Sequence, residues 1–484
     1  MTEIAIPEHL TSRPLRVAIV GAGPAGIYAA DMLAKSETVS SGALELKIDL
    51  FDELPTPFGL IRYGVSPDHP RIKGIITALH KVLNNEWINF YGNVGLGRDI
   101  TLAELHERYD AVIIATGAQK DADLNIPGVN LEGSFGGADF VSWYDAHPDA
   151  ETHWDLSARE VAVIGNGNVA LDVARILSKH ADQLLETEIP EHIYTLLNDS
   201  AVTDVHVFGR RGPAQVKFTP LELRELSHSK DVDIVLYPED FEFDEASDQA
   251  IKSNNQTKTM VSTLTNWLIE QEEREEAPSA SRRLHLHFLQ SPVEIEGADG
   301  KVVGLKMERN ELDGTGNVRG TGEFVSYPVQ AVYRAVGYFG SAVDGIDYDG
   351  AKGVLPNVAG RVLNAQGEQV PSLYATGWIK RGPVGLIGHT KGDALETINN
   401  LLADLESLPQ PTNDQPIAEL LTERGIDFAD WEGWLELDTQ EKTLGSDAGT
   451  VETRFGEVTR DRIKIVSRDD MLEHARAKKL AESL

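Results

Sequence analysis

The sequence predicts an α/β fold composed of two similar domains, in each of which a parallel β-sheet lies between layers of helices. The main observation is a unit of apolar strand, glycine-rich turn and amphipathic helix that occurs twice, with its first glycine at Gly21 and again at Gly165. A similar segment, SLYATGWIKRGPVGLIG, begins at Ser372. The chain has 484 residues. A single hydrophobic core stops growing at roughly 250–300 residues, so more than one domain is expected.

The composition excludes several classes of function. Hydrophobic residues make up 41% and charged residues 25% of the chain, as in ordinary globular proteins. Because there is no cysteine, the chain has no disulfide couple, no catalytic thiolate and no thiolate-ligated iron–sulfur cluster. Redox chemistry would therefore require a bound organic cofactor. None of the 14 histidines has an HExxH or comparable spacing, so no metal site is predicted.

Charge and hydropathy limit the partners and the location. The formal net charge of −33 argues against binding of nucleic acid, which requires a basic surface. No apolar stretch approaches the roughly 20 residues that a membrane helix needs, and the first residues lack a basic start followed by an apolar core. We therefore expect a cytoplasmic protein that does not insert into a membrane.

The first glycine turn has the residues that a dinucleotide site requires. Gly21 permits a tight turn after the strand, Gly23 allows a pyrophosphate to approach the backbone, and Gly26 allows helix and strand to pack closely. The phosphates then meet the N terminus of the following helix. The next strand ends at Asp52 and Glu53, either of which can bind ribose hydroxyls. The turn predicts a dinucleotide-binding domain of the Rossmann-like, three-layer type.

The second glycine turn predicts a second dinucleotide site. It consists of Gly165, Asn166, Gly167, Asn168, Val169 and Ala170, with alanine at a position where the pattern accepts it. A later strand ends at Arg210 and Arg211, where a site specific for NAD would have an acidic residue. Two guanidinium groups at this place can bind a 2′-phosphate bidentately, which favours NADP(H). Two solvated arginines beside an NAD site are the alternative.

The segments around these turns predict further structure. Residues 54–69, LPTPFGLIRYGVSPDH, combine prolines and glycines with large apolar residues, which indicates an ordered loop rather than a flexible linker. Residues 241–283 are polar with an acidic run and predict a peripheral helix and a loop. Residues 285–338 predict the strands of an antiparallel meander. At least two helices are expected after residue 409.

Three long motifs resemble one known family. LPTPFGLIRYGVSPDHP, FGRRGPAQVKFTPLELREL and GWIKRGPVGLIGHTKGD are similar to segments of the NADPH–ferredoxin reductases of the adrenodoxin reductase type, including their bacterial homologues. The resemblance runs from about Leu15 to Leu405. It implies an FAD-binding domain of residues 1–118 and 341–484, with a C-terminal extension from about residue 409, and an inserted NADP(H)-binding domain of residues 119–340.

The resemblance also implies the residues of the sites. His69 and Glu225 match a pair proposed to assist proton movement near flavin and nicotinamide. The implied FAD site comprises Gly21, Gly23, Ala25, Gly26, Asp52, Glu53, Leu60, Thr116, Gly117, Trp378, Gly385, Leu386 and Ile387. The implied NADP(H) site comprises Gly165, Asn166, Gly167, Asn168, Val169, Arg210, Arg211, Glu222, Trp378 and Gly385.

The implied activity is transfer of a hydride from NADPH to FAD, followed by transfer of single electrons to a ferredoxin-type iron–sulfur protein. Two alternatives stay open: an NADPH-dependent flavin monooxygenase or oxidase, and a dinucleotide-binding redox sensor without turnover. A monomer is expected.

The net charge conflicts with an acidic ferredoxin partner, because like charges repel at long range. We therefore expect a local basic docking face. Six residues in or near the implied flavin segments could form it: Arg62, Arg71, Lys73, Lys380, Arg381 and Lys391.

Overall fold

The computed structural model describes residues 6–275, 279–385 and 387–482. The chain divides into two compact units. The first consists of Met1–Lys120, Tyr338–Asp447 and Asp461–Leu484, and the second of Asp121–Gly337 and Ala448–Arg460. The predicted boundaries at residues 118 and 341 lie within three residues of two of these divisions. The C-terminal extension differs from the prediction, because residues 448–460 join the second unit.

The first unit is built on a seven-stranded sheet. Its strands are β1 (Leu15–Val20), β2 (Leu46–Asp52), β3 (Ile88–Gly92), β4 (Ala111–Ile114), β16 (Asn357–Val358), β17 (Arg361–Leu363) and β18 (Gln369–Ala375). Their order is β16-β17-β18-β4-β1-β2-β3. The five strands from β18 to β3 are parallel, whereas β16 and β17 pair antiparallel. Strand β4 is a continuous buried apolar run, and β1 is apolar and buried except at the partly buried Arg16, as expected for central strands covered on both faces.

The helices of the first unit cover this sheet. They are α1 (Pro24–Ala34), α2 (Glu37–Ser40), α3 (Leu60–Tyr63), α4 (Pro70–Lys73), α5 (Ile76–Leu83), α6 (Leu102–Arg108), α13 (Trp378–Arg381), α14 (Ile387–Ala403), α15 (Ile417–Glu423), α16 (Trp431–Ala448) and α17 (Arg468–Glu482). Pro24 occupies the first position of α1, where its missing N–H leaves no hydrogen bond unmade. Helix α1 packs against α5 and α14.

The second unit contains a six-stranded parallel sheet. Its strands are β6 (Ser134–Gly136), β7 (Glu160–Ile164), β8 (Asp204–Phe208), β9 (Val232–Leu236), β10 (Arg282–His287) and β14 (Ala331–Arg334), in the order β6-β14-β7-β8-β10-β9. A separate antiparallel meander consists of β11 (Gln290–Ala298), β12 (Lys301–Leu312) and β13 (Val318–Tyr327). The tail adds a hairpin of β19 (Thr450–Thr453) and β20 (Gly456–Thr459).

The helices of this unit are α7 (Gly137–Tyr144), α8 (Asn168–Ser178), α9 (Glu191–Asn198), α10 (Pro220–Ser227), α11 (Glu245–Ser253) and α12 (Asn255–Glu272). Two short strands, β5 (Lys120–Asp121) and β15 (Tyr338–Phe339), pair with each other.

Two sequence predictions are corrected. The meander prediction for residues 285–338 was wrong at both ends, because β10 and β14 pair in parallel inside the six-stranded sheet. Strand β14 (AVYR) is a short apolar run, whereas β10 (RRLHLH) alternates leucine with histidine. At this length neither pattern distinguishes a parallel strand from an antiparallel one. The polar stretch 241–283 contains two helices, α11 and α12, rather than one.

The predicted α/β class is confirmed, with one sheet parallel throughout and the other parallel from β18 to β3. No helix within the described residues is long and apolar enough to span a membrane.

Candidate dinucleotide sites

The first glycine turn is packed so closely that two of its glycines cannot be replaced without a shift. Gly21 has a φ of 111°, and a Cβ there would lie 2.4 Å from the carbonyl oxygen of Ala115. A Cβ on Gly26 would lie 2.0 Å from the carbonyl oxygen of Gly21 and 3.1 Å from a methyl carbon of Ile19. These two glycines therefore serve the close packing of α1, β1 and β4.

Gly23 and Gly117, in contrast, border open space. The nearest atom to a Cβ on Gly23 would be the Cα of Gly59, 3.8 Å away, and a Cβ on Gly117, which has a φ of 76°, would meet nothing within 4 Å. Gly23 directly precedes α1, and no side chain caps this helix within the described part of the chain. The first N–H groups of α1 thus face open space beside the turn. This arrangement is suited to binding the pyrophosphate of a dinucleotide.

Two other segments of the first unit converge on this turn. The backbone N–H of Phe58 donates to the carbonyl of Ala22 at 2.8 Å, and a Cβ on Gly59 would lie 3.0 Å from the Cα of Gly23. This contact brings the neighbouring Leu60 to the turn. A Cβ on Gly377 would lie 2.5 Å from the Cβ of Ala25.

Further predicted residues lie beside these contacts. Trp378, the half-buried first residue of α13, follows Gly377. Thr116 is exposed at the end of β4, next to Ala115. The structure thus brings together eight predicted residues: Gly21, Gly23, Ala25, Gly26, Leu60, Thr116, Gly117 and Trp378.

The segment before α14 is only partly described. Gly385 is exposed with a φ of 87°, and Ile387 begins α14. Leu386 lies outside the described residues.

The two acidic residues at the end of β2 have different environments. Asp52 is 9% exposed, and its carboxylate accepts hydrogen bonds from the N–H of Ala22 at 2.8 Å and of Leu54 at 3.0 Å. Burial raises the pKa of Asp52 to about 7. Glu53 has an exposed side chain, and its backbone carbonyl accepts from Arg468 at 2.6 Å. Asp52 therefore shapes the turn, whereas Glu53 leaves its carboxylate available.

The second glycine turn repeats the arrangement of the first. Gly165 has a φ of 147°, and a Cβ there would lie 2.2 Å from the carbonyl oxygen of Ala335 at the end of β14. A Cβ on Gly167 would meet nothing within 4 Å. Gly167 precedes α8, which has no side-chain cap among the described residues. This turn is tight where strands meet and open at the helix terminus.

The asparagines of this turn bind the segment that leads to α10. The carbonyl of Asn166 accepts from the N–H of Lys217 at 3.1 Å, and the side-chain oxygen of Asn168 accepts from the N–H of Thr219 at 3.0 Å. Val169 is half-buried and Ala170 is fully buried. The two asparagine contacts fix the position of α10 relative to the turn.

Arg210 and Arg211 directly follow β8 in the same unit. Arg210 is exposed, and neither arginine forms an ion pair with any residue that the structure describes. Arg211 donates only a 3.3 Å hydrogen bond to Asn317, while the backbone carbonyl of Arg210 accepts from Asn310 at 2.9 Å. The backbone is anchored and both cationic groups remain available for an anion.

Of the three remaining predicted residues, Glu222 and Glu225 lie in the second unit and His69 in the first. Glu222, in α10, is 4% exposed, and its carboxylate is 4.0 Å from Arg175. Glu225, one turn further, is partly exposed and lies 3.4 Å from His228. His69 belongs to the first unit, is 4% exposed and precedes α4. The pairing of His69 with Glu225 stays a prediction.

The predicted basic docking face loses three of its six residues. Arg62 is buried against the carboxylate of Glu441. Lys73 is 8% exposed, and its ammonium donates to backbone carbonyls. Lys380 is 7% exposed and forms ion pairs with Asp393 and Glu396. Each forms part of the internal structure, so none is available on a surface. Arg71 and Lys391 are exposed and Arg381 is partly exposed.

Sequence reasoning missed a buried histidine cluster in the second unit, because its members lie on two neighbouring strands. The Nδ1 atom of His206 in β8 lies 3.0 Å from the Nε2 atom of His287 in β10, and the ring of His285 stacks on that of His206. Burial lowers the pKa of His206 to about 3 and that of His287 to about 2. Both nitrogens of His285 have hydrogen bonds, to Asp204 and Tyr237. The cluster is a neutral aromatic stack.

Two parallel sheets, each with a glycine turn that is open at the N terminus of a helix, define a class of oxidoreductase that binds two dinucleotides. In agreement, the family model described as pyridine nucleotide-disulphide oxidoreductase matches residues 15–211.

Comparison with whole proteins is more specific. The chain is similar to NADPH-ferredoxin reductase FprA of Mycobacterium tuberculosis, at 40% identity over 95% of this chain and 99% of that protein. It is also similar to the mitochondrial NADPH:adrenodoxin oxidoreductase of Arabidopsis thaliana, at 37% identity over 96% of each. The solved structure of the M. tuberculosis FprA complex with NADPH matches with a TM-score of 0.83 and 39% identity, over 96% of this chain and all of that chain. The chain belongs to the NADPH–ferredoxin reductase family of the adrenodoxin reductase type.

Proposed function

We propose that this chain is an FAD-containing NADPH–ferredoxin oxidoreductase, with FAD in the first unit and NADP(H) in the second. The observation that carries the proposal is the pair of open glycine turns, together with Arg210 and Arg211, which lie near the second turn and form no ion pair with the residues that the structure describes. The names of the relatives, NADPH-ferredoxin reductase and NADPH:adrenodoxin oxidoreductase, support both the nucleotide and the partner class.

In the first unit, the N–H groups that begin α1 would bind the FAD pyrophosphate, with Gly23 and Gly117 leaving room for it. Glu53 would bind the ribose hydroxyls, since the carboxylate of Asp52 is already engaged by backbone N–H groups. Leu60 and Trp378 would lie against the flavin. Gly385 and Ile387 would direct the N terminus of α14 toward it.

In the second unit, Gly167 and the start of α8 would receive the NADP(H) pyrophosphate. Arg210 and Arg211 would bind the 2′-phosphate, because planar guanidinium groups bind phosphate oxygens bidentately. Glu222 would lie near the same phosphate. Gly165, Asn166, Asn168 and Val169 would complete the turn.

When bound, FAD supplies the redox chemistry, taking up a hydride from NADPH and releasing electrons singly to an iron–sulfur acceptor. The task of the protein is orientation, which requires two rigid sites more than it requires acids and bases. His69 and Glu225 would move protons near the reacting rings, and Trp378 and Gly385 would also border the nicotinamide.

An acidic ferredoxin would dock on a local basic surface, of which Arg71 and Lys391 are the exposed members of the predicted set. Such a surface predicts that coupling to ferredoxin weakens as salt rises, because screening shortens the reach of charge. Salt-independent coupling would refute electrostatic docking. We also propose a monomer located in the cytoplasm.

Stopped-flow reduction of the holoprotein by NADPH and by NADH, followed by addition of a ferredoxin, tests the proposal. We expect rapid flavin reduction by NADPH, slow reduction by NADH and acceleration of turnover by ferredoxin. Fast NADPH oxidation with oxygen alone and no effect of ferredoxin would indicate an oxidase or monooxygenase. Failure to reduce either ferricyanide or ferredoxin would indicate a redox sensor.

The assignment of the 2′-phosphate site is tested by Arg210→Ala and Arg211→Ala. Each is expected to raise the KM for NADPH at least tenfold and to leave that for NADH unchanged, since a charged hydrogen bond contributes about 1.5–3 kcal/mol. Arg274→Ala is the matched control, because this arginine is paired with Asp233. Equal effects on the two nucleotides would contradict the assignment.

A further inference from the structure

The C-terminal tail contacts the loop of residues 54–69 through one buried carboxylate. Glu441, in α16, is completely buried. It accepts hydrogen bonds from both terminal nitrogens of Arg62, one of them at 3.1 Å. It also accepts from the guanidinium of Arg462 at 2.9 Å and from the N–H of Ile465 at 3.0 Å. A single side chain of the tail thus binds both the loop and the segment that leads to α17.

Further tail residues surround the same part of the loop. The ammonium of Lys464 donates to the carbonyl of Arg62 at 2.7 Å. Trp434 lies edge-on to Phe58, with ring centroids 5.6 Å apart, and the guanidinium of Arg62 stacks over Trp434 at 5.3 Å. The tail therefore contacts the loop by charge, by hydrogen bonding and by aromatic packing.

The loop has a backbone that requires such support. Phe58 has a φ of 84° and Gly59 a φ of 48°. A left-handed conformation is unfavourable for phenylalanine and persists only where its surroundings enforce it. Phe58 is fully buried, and its N–H binds the carbonyl of Ala22 in the first glycine turn. The strained Phe58 therefore directly precedes Gly59, which lies against Gly23.

We propose that the tail is a positioning element for the flavin site. Glu441 holds Arg62, Arg62 fixes the loop, and the loop keeps Leu60 and the first glycine turn in the geometry that binds FAD. This inference rests on the proposed function, because it assigns FAD to the first unit. It goes beyond that function by giving the tail, which follows the dinucleotide fold in sequence, a role in cofactor binding.

The alternative is that the ion pair between Arg62 and Glu441 serves stability only. A buried ion pair contributes little net stability compared with apolar residues of similar volume, whereas loss of one partner leaves an uncompensated buried charge. Stability and positioning can therefore be separated by comparing a variant that lacks one charge with a variant that lacks both.

The test uses the full chain with Glu441→Gln alone and with Glu441→Gln combined with Arg62→Met. FAD affinity is measured by titrating the apoprotein, the flavin environment by visible circular dichroism, and thermal stability by calorimetry. Binding of NADP+ is measured as a readout of the second unit. Glu432→Gln is the matched control, because Glu432 is exposed on the same helix.

We expect Glu441→Gln to weaken FAD binding at least tenfold, to change the visible dichroism and to leave the affinity for NADP+ unchanged. The double variant should regain thermal stability but not FAD affinity. The proposal is overturned if Glu441→Gln binds FAD like the wild type, or if the double variant regains both properties together.

If Glu441→Gln does not fold, Lys464→Met removes one hydrogen bond to the same loop, because methionine has no donor. This variant is expected to weaken FAD binding several-fold with the same change in dichroism, and wild-type affinity would overturn the proposal. A wild-type chain that does not bind FAD would instead refute the proposed function.

Discussion

Replacement of Gly26 by alanine should disrupt the first unit, and the structure gives the size of the effect. The new Cβ would lie 2.0 Å from the carbonyl oxygen of Gly21. Because carbon–oxygen contacts normally exceed about 3.2 Å, α1 must move from β1 by roughly 1 Å. Overpacking of a well-packed core costs about 1–3 kcal/mol, and the upper end applies here because the opposing atom is backbone and cannot rotate away.

Gly392→Ala is the matched control in α14 of the same unit. This glycine is exposed, and a Cβ would meet nothing within 4 Å. Alanine in a helix interior is more stable than glycine by about 0.5–1 kcal/mol. The two variants should therefore differ by about 4 kcal/mol, in opposite directions from the wild type.

The assay is calorimetry of the apoprotein together with FAD content from flavin absorbance. A loss of about 3 kcal/mol corresponds to a Tm lower by roughly 6–12 °C for a unit of this size, and we expect Gly26→Ala to retain little FAD. The steric reasoning is refuted if Gly26→Ala melts within about 2 °C of the wild type with full FAD content. An equal loss in Gly392→Ala would also refute it.

Three further predictions follow from the geometry. Gly23→Ala should keep the wild-type Tm, because its Cβ meets no atom within 3.4 Å, but it should weaken FAD binding at least tenfold in a titration of the apoprotein. Unchanged FAD affinity would show that the pyrophosphate does not bind in the open space beside Gly23. Glu53→Gln should weaken FAD binding, measured by titration, without loss of stability. Asp52→Asn should lower the free energy of unfolding, measured by calorimetry, by about 1–3 kcal/mol, since one of two buried N–H groups loses its acceptor. If instead Asp52→Asn weakens FAD binding and Glu53→Gln does not, Asp52 is the ribose ligand. His206 and His287 have folded pKa values of about 3 and 2, below the unfolded value of about 6.5. Their stability contribution is thus complete above about pH 6.5 and decreases as pH falls toward 3, because over this range the unfolded chain binds protons that the folded stack does not. Urea denaturation of His206→Phe should show a shallower loss between pH 6 and about 4, and an unchanged slope would argue against a neutral stack.

The glycine turns were predictable because their requirements are local. Each glycine permits a tight turn, the approach of a phosphate to the backbone, or close packing of helix against strand. The strand before it and the helix after it are already recognisable in the sequence. The arginine pair was predicted for a similar reason, because the end of a strand after the second turn is a fixed position in this architecture, and its binding of a 2′-phosphate stays a prediction. Eight implied residues of the first site do lie together around Gly21 and Gly23.

The orientation of charged side chains was not predictable. Asp52 and Glu53 are adjacent in sequence, yet one binds the turn and the other is exposed. Arg62 and Lys380 were assigned to a docking surface, although each forms an ion pair inside the first unit. Burial of a charge depends on a partner, and the partner of Arg62 is 379 positions away in the chain.

Sequence alone determined the fold class, the two dinucleotide turns and the family, because these depend on patterns within a few dozen residues and on motifs long enough to be specific. Only the tertiary structure decided which strands are parallel, which acidic residue is free for a ligand, and that the tail supports the loop of residues 54–69. These features depend on contacts between residues far apart in sequence, and such contacts leave no pattern in a single chain.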